Sequence, residues 1–441
     1  MKLIKITKTL KILTDLRFAI FLLTLISLSS GIGSIIEQDE TLSFYAEKYP
    51  IEKPIYGFIN SKIILNLGLD HIFRAYWFLG LLALFGLCLI SCTITQQLPN
   101  LLSSKKYFFK QKTKAFIKLP LFIKLPKHSF SNEKIILEVK KNHWSIYQKK
   151  KYLYAYKGLL GRISPIVVHI SLIILLVGSA AGAFLSFKAQ EMTLKGEFLH
   201  IQNPIRVGSW AKISVQNYRI NDFWLEYKNQ KISQFFTNIS ILDNFGNEAK
   251  YQTISVNHPI RNQGTDLYQS DWSLIGVRAK LLKLNKSIEF PLFPLKNQEK
   301  SWVTCLQIQK NIYILIFNQL QNIFLLYDQK GQFLSIKNIG DLINNDLLLQ
   351  EILPSTGLLF KYDPTVSIMY LGFGLLMLTA SLSYLPYLQL WVCSKNNLIF
   401  IGTTTNRGKA KTEIEFKTLI KFIKLKVKAF IIKSPKDRIM N

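Results

Sequence analysis

The stretch Gly161-Arg162-Ile163-Ser164-Pro165-Ile166-Val167-Val168-His169-Ile170-Ser171 decides the fold. It opens an uncharged run, Ile163–Phe187, held between Arg162 and Lys188. About 20 apolar residues carry a helix across the hydrocarbon core of a bilayer. Three other runs are of the same kind: Phe18–Ile36 between Arg17 and Glu37, Ala75–Ile94 after Arg74, and Val366–Leu385 between Asp363 and Lys395. The chain therefore reads as a polytopic α-helical membrane protein with about four transmembrane helices. The first run has no convincing small-residue cleavage site and is long enough to stay as an anchor.

Between these runs the charge alternates. The net formal charge is +4 over residues 1–17, −2 over 37–74, +14 over 95–162, +4 over 188–363 and +9 over 386–441. Lys and Arg in short loops stay on the side of synthesis. Both termini and the basic loop 95–162 belong there, and 37–74 and 188–363 lie across the membrane. Most of the overall +29 is thus a topology signal. A nucleic-acid binder would not spend four long uncharged runs, so no nucleic-acid partner is expected. Membrane lipid is, because anionic headgroups attract each nearby Lys or Arg by roughly 1 kcal/mol.

Residues 188–363 are too polar for lipid and long enough for a domain. Short β-branched and aromatic runs alternate there with turn signals: Ile239–Leu242 before Asp243-Asn244-Phe245-Gly246, Ile312–Phe317, and Ile323–Tyr327 before Asp328-Gln329-Lys330-Gly331. A large, mostly-β domain is expected between the third and fourth spans. In the tail, Lys417–Lys436 interleaves Lys with Leu, Ile, Val and Phe. It reads either as an amphipathic helix on the membrane surface or as a solvated basic tail.

No Ser-His-Asp set, phosphate loop or metal-spaced cluster is present, so no catalytic residue is assigned. His169 remains, an imidazole roughly 9 Å into the third span at 1.5 Å per residue. An ionisable residue inside a span is expensive and faces the bundle. Its neutral ring can coordinate haem iron, or make a helix–helix hydrogen bond worth roughly 0.6 kcal/mol on average. Further along, Gly178-Ser179-Ala180-Ala181-Gly182 permits close helix packing. His71 stands just before the second span and is a weaker ligand candidate; a surface histidine is the plainer reading. His200 and His258 belong to the far-side domain, and His128 and His143 to the basic loop. Cys88 and Cys92, four apart in the second span, share a helix face. They read as small apolar packing residues rather than a redox pair. The four scattered cysteines make no disulfide framework.

Several of these segments, taken in order, resemble the ResB (CcsB-type) cytochrome c biogenesis family, in its plastid-encoded form. They are Gly161–Ser171 with Gly178; Val256-Asn257-His258-Pro259-Ile260-Arg261-Asn262-Gln263-Gly264 with Tyr268-Gln269-Ser270-Asp271-Trp272; Ser355-Thr356-Gly357-Leu358 and Asp363-Pro364; Arg74-Ala75-Tyr76-Trp77-Phe78 with Cys92-Thr93; and Thr405-Asn406-Arg407. The Lys-rich stretch around 105–128 departs from the pattern and receives no role. The resemblance implies a thylakoid membrane protein with stromal termini and a lumenal domain. It implies work with a ResC (CcsA)-type membrane partner, bringing haem b across the membrane in reduced form for attachment to apocytochromes c. By the same resemblance His169 matches the proposed axial haem ligand; His258 lies in a family-like segment, but Pro259 and the following glycine mark a turn and make it structural. The chain would be a non-catalytic or jointly catalytic subunit of the attachment complex. An alternative is an apocytochrome-binding chaperone without haem ligation. A sensor or transporter is a third reading, weakened by the absence of paired membrane carboxylates or broken-helix repeats.

Overall fold

The computed structural model describes residues 8–55, 57, 59–127, 132–228, 231–282, 284–295, 300–308, 311–318, 322–343, 346–423 and 431–433. The chain divides into two compact units. The first gathers residues up to Ile36, His71–Ala180 and Thr365 onward; the second gathers Glu37–Asp70 and Ala181–Pro364.

Four apolar helices organise the first unit: α1 (Leu16–Ile35), α2 (Tyr76–Cys92), α3 (Leu160–Leu185) and α4 (Val366–Leu382). Asp15 caps α1, its carboxylate accepting the Arg17 N–H at 2.9 Å. Beyond Cys92 the second helix continues through a π-turn, Thr93–Gln97, into Leu98–Lys105. It is a continuous 30-residue helix. Three of the four are long and apolar enough to cross a membrane, and α4 is shorter at 17 residues.

Their surfaces are inverted relative to a soluble bundle. Ile20, Phe21 and Leu28 of α1 and Leu371, Met377 and Leu378 of α4 are exposed, whereas Ser164 and Ser171 of α3 and Thr379 of α4 are buried. Exposed apolar faces of this extent call for an apolar surrounding. The buried hydroxyls satisfy themselves on their own helices: Ser164 donates to the Leu160 carbonyl at 2.7 Å, Ser171 to Val167 at 2.7 Å and Thr379 to Leu375 at 2.6 Å.

Helices adjacent in sequence are adjacent in space. Gly33 of α1 packs on Phe73, just ahead of α2. Gly86 of α2 faces Leu176 of α3, and Thr93, further along, meets His169, further back. The two helices therefore run antiparallel. Gly178 and Gly161 of α3 meet Met369 and Leu385 in the same reversed order, so α3 and α4 are also antiparallel.

The basic loop and tail are not merely connecting segments; together they build a second layer of the first unit. Six antiparallel strands lie in the order Ser145–Lys149, Tyr152–Lys157, Leu388–Lys395, Leu398–Thr405, Leu121–Pro126 and Ile431–Lys433. Tyr152–Lys157, which leads into α3, thus pairs with Leu388–Lys395, which follows α4. One face buries Ile123, Leu125, Leu153, Ala155, Leu390, Val392, Ile399 and Ile401 under the helices Asn132–Lys141 and Lys409–Ile423. The other carries Tyr154, Trp391 and Cys393 under Phe116 and Leu119. This corrects the reading of the tail. Its helix spans Lys409–Ile423, and the apolar face Phe416–Leu419–Ile420 is spent on the sheet, not on a membrane surface. Residues 424–430 and 434–441 of the Lys-rich stretch lie outside the described residues.

The second unit is mostly β. Phe187–Leu194, directly after α3, pairs with the long strand Leu347–Tyr362 that leads into α4. That strand pairs in turn with Thr265–Leu281, within a seven-stranded sheet. A five-stranded meander from Phe293 to Asn338 and a four-stranded sheet of Phe198–Leu199, Tyr218–Lys228, Lys231–Leu242 and Glu248–Ser255 complete it. The turn signals fall where the sequence places them. Gly246 (φ 85°) and Gly331 (φ 77°) take the left-handed conformations that close their turns. Two apolar cores form, one around Trp272, Trp302 and Phe317, the other around Phe187, Tyr218 and Phe360. A buried polar cluster, Thr237, Gln269 and Thr356, is also present; Gln269 Nε2 donates to Thr356 Oγ1 at 2.8 Å.

Candidate functional site

Among the described residues, His169 is the imidazole that the fold places inside the helix bundle. Pro165, one turn earlier, has no N–H and leaves the Gly161 carbonyl without its intrahelical donor. Gly161 itself approaches the chain at Leu385 so closely that a Cβ there would lie 2.0 Å from the Leu385 carbonyl oxygen. The start of α3 is thereby fixed in position, and the half-buried ring of His169 turns toward α2.

Its partner is Thr93. His169 Nδ1 and Thr93 Oγ1 are 2.8 Å apart. The Thr93 hydroxyl donates to the Leu89 carbonyl at 2.7 Å. A hydroxyl has one hydrogen. With that hydrogen committed to Leu89, the Thr93 oxygen accepts, and Nδ1–H of His169 donates. This network assigns the tautomer. It leaves Nε2 with its lone pair, which is the arrangement a metal-ligating histidine uses: one nitrogen held by an outer hydrogen bond, the other presented. Thr93 is also the first residue of the π-turn, where the regular ladder of α2 is interrupted. Such turns recur at functional sites.

The donor set suits one axial position of a haem iron, since a neutral imidazole with a fixed Nδ1–H is an ordinary haem ligand. Among the described residues it does not supply two. His71 sits ahead of α2 in the turn Leu69–Arg74, with φ −145° and ψ 45°, and its carbonyl accepts the Ala75 N–H at 3.0 Å. The 17 residues of α2 separate it from Thr93, about 26 Å at 1.5 Å per residue. The structure thus does not bring His71 and His169 to one iron. His143 is exposed in the basic layer, and His128 lies outside the described residues. In the second unit, His200 and His258 are exposed, and His258 follows Asn257 (φ 66°) in a turn, where its backbone bridges to Ser255. Cys88 is buried, Cys92 is half-buried, and neither is in a disulfide.

In the sequence Thr93 stands only as part of the Cys92-Thr93 motif, with no role of its own. The signal was present: a hydroxyl at the end of an apolar run, adjacent to a conspicuous motif. Its pairing with a residue 76 positions away could come only from the fold.

Comparison with known proteins identifies the family. Residues 16–340 match the ResB-like family. The chain belongs to that family. Among similar proteins is the cytochrome c biogenesis protein Ccs1 of Phaeodactylum tricornutum, 43% identical over 417 residues, which cover 93% of this chain and 99% of the relative. Ccs1 of Thalassiosira pseudonana is 41% identical over 419 residues, covering 93% and 99%. The cytochrome c biogenesis protein CcsB of Thermosynechococcus vestitus is 38% identical over 420 residues, covering 92% and 94%. The similarity of this ResB-like chain extends over nearly its whole length, and it supports cytochrome c biogenesis at a membrane as its role.

Proposed function

We propose that this ResB-like protein delivers haem across the thylakoid membrane and helps attach it to apocytochromes c, with a ResC/CcsA-type partner. In this reading all four apolar helices cross the membrane. The termini and the six-stranded layer are stromal, and the β-rich second unit is lumenal. The loop charges support this orientation.

The observation that carries the proposal is the Thr93–His169 hydrogen bond, with the Thr93 hydrogen already given to Leu89. Haem is the cargo. His169 Nε2 fills one axial position. Thr93 holds the imidazole in one tautomer and at one angle. The second axial ligand comes from a partner chain or from a second copy of this one, since among the described residues His71 stands a helix length away. A partner-supplied ligand makes ligation depend on assembly, so haem is retained only where it can be passed on.

The test separates ligation from packing. A packing histidine replaced by Gln keeps a hydrogen bond and loses on the order of 1 kcal/mol or less. A ligand replaced by Gly leaves an open axial position that added imidazole can fill. The expected result is that His169→Gly and His169→Gln both abolish cytochrome c assembly and alter the Soret band of the purified complex. Imidazole restores part of both for His169→Gly alone. Normal assembly and an unchanged spectrum in His169→Gln would overturn the ligand role and favour the apocytochrome-binding chaperone. Orientation has its own test: protease added to intact thylakoids from the stromal side cuts within 95–162 and after 395, and spares 188–363. Cleavage inside 188–363 reverses the orientation.

A further inference from the structure

The Lys-rich stretch that begins at residue 105 has no part in the chemistry above, yet the fold gives it a definite place. The continuous helix Tyr76–Lys105 has 30 residues, about 45 Å at 1.5 Å per residue. A bilayer with its headgroups is about 40–45 Å thick. One end carries Tyr76 and Trp77, exposed at 80% and 43%, as an interfacial aromatic pair would be. If that end marks one interface, Lys105 emerges among the headgroups of the other. The chain then reads Lys105-Lys106-Tyr107-Phe108-Phe109-Lys110-Gln111-Lys112.

We propose that Lys105, Lys106, Lys110 and Lys112, with Tyr107 and Phe108, form a binding site for the headgroup of an anionic membrane lipid. Two independent observations converge on it. The first is charge without compensation. Residues 95–162 hold two carboxylates, Glu133 and Glu138, and among the described residues the ion pairs do not include any of these four lysines. The second is an aromatic platform held in place by the layer beneath. Tyr107 stacks on Tyr147 with centroids 4.7 Å apart, and Phe108 rests on Trp391 at 5.3 Å. The Trp391 indole N–H donates to the Phe108 carbonyl at 3.0 Å, which fixes the backbone between the lysines. Tyr107 and Phe108 stay largely exposed.

Lys110 joins the two features. Its ammonium lies 4.6 Å over Trp391 and 5.5 Å over Phe108. Burial beside these rings pushes its pKa below the usual lysine range. A partly desolvated cation whose neighbours are rings is stabilised by an anion. A lipid phosphodiester or sulfonate supplies the charge, and its acyl chains lie where Tyr107 and Phe108 face out. A soluble phosphate would use only the lysines.

The experiment uses the full-length protein, purified in detergent and exposed to equimolar phosphatidylglycerol and phosphatidylcholine, with retained lipid read by native mass spectrometry. Each lysine near the surface is worth about fivefold in affinity. The wild type should retain phosphatidylglycerol at least about tenfold over phosphatidylcholine, and excess glycerol phosphate should not displace it. Lys105→Gln/Lys106→Gln/Lys110→Gln/Lys112→Gln should lose the preference, with an unchanged thermal transition. Tyr107→Ala/Phe108→Ala should weaken retention while leaving the headgroup preference. Equal retention of both lipids by the wild type overturns the proposal, as does a preference that survives the fourfold substitution. Displacement by glycerol phosphate or by an acidic peptide also overturns it, by showing a soluble anion as the ligand.

Discussion

On the side of α3 turned to α4, the buried positions are Gly161, Ser164, Ser171 and Gly178; on the side turned to α2 stand His169 and Leu176. Both sides contain polar atoms in an apolar surrounding. The serines return their hydroxyls to carbonyls four residues back on their own helix, so their polarity is closed off and only their small size matters. His169 reaches across to another helix, at the one place where that helix is wound irregularly, and keeps an acceptor atom in reserve. Small residues let backbones approach. An imidazole at that depth costs free energy that packing does not require. One side of α3 is thus explained by assembly alone, and the other is not.

The strongest way to break the small-residue side is Gly161→Val. Its Cβ would meet the backbone oxygen of Leu385, which cannot move aside as a side chain could. We expect a loss of about 3 kcal/mol or more, read as failure of the full-length protein to accumulate or as a lowered thermal transition. Gly31→Ala is the control, since nothing lies within 4 Å of a Cβ there. A Gly161→Val protein that melts with the wild type would refute the close contact.

The histidine side is sharpened by a pair of substitutions. Thr93→Val keeps the shape and removes the acceptor; Thr93→Ser keeps the acceptor. Outer-shell partners of ligating histidines are worth about tenfold to a hundredfold in affinity. Haem retention by the purified complex should fall by that factor in Thr93→Val and stay near wild type in Thr93→Ser. Equal retention in both would mean that Thr93 only packs.

A smaller effect belongs to Gly178→Ala. The added Cβ would come to 2.9 Å from Met369 Sδ, the far end of a flexible side chain. The expected cost is about 1 kcal/mol, visible as a modest fall in the thermal transition with cytochrome assembly retained. Loss of assembly without loss of stability would give this side a functional role.

These contrasts bear on what the sequence could disclose. The apolar runs and their loop charges declared the helices, because a span must be apolar along about 20 consecutive residues and no tertiary contact is needed to see that. The strands at Ile239–Leu242 and Ile323–Tyr327 were legible because glycine-containing turns closed them. The six-stranded layer was hidden. Its strands come from both sides of α3 and α4, and 231 residues separate Lys157 from its partner Leu388. The strands are short and bordered by lysines, such as Lys118, Lys127, Lys149–Lys151, Lys157 and Lys395, that also served as the topology signal, so one feature masked the other. His169 was legible as an anomaly within a span. Thr93 was not, because a hydroxyl in a helix is ordinary until its neighbour is known.

The smallest expected effect concerns Cys88 and Cys92, which lie within two turns of Thr93 on the same helix and so test whether proximity to the site is enough to confer function. Cys88 is 2% exposed and behaves as a small apolar filler; a buried thiol at that position is inert unless something activates it. Neither is disulfide-bonded, and a helix holds residues four apart side by side without turning their sulfurs toward each other. Replacing both with Ala trims two sulfur atoms from the bundle, at a cost of about 1 kcal/mol each or less. Cytochrome c assembly should remain at more than about half of wild type by that stability argument. The haem spectrum of the complex should not change. Complete loss of haem attachment, restored by an added thiol, would mean that electrons pass through this pair. The division of labour between the two sides of α3 would then extend to α2.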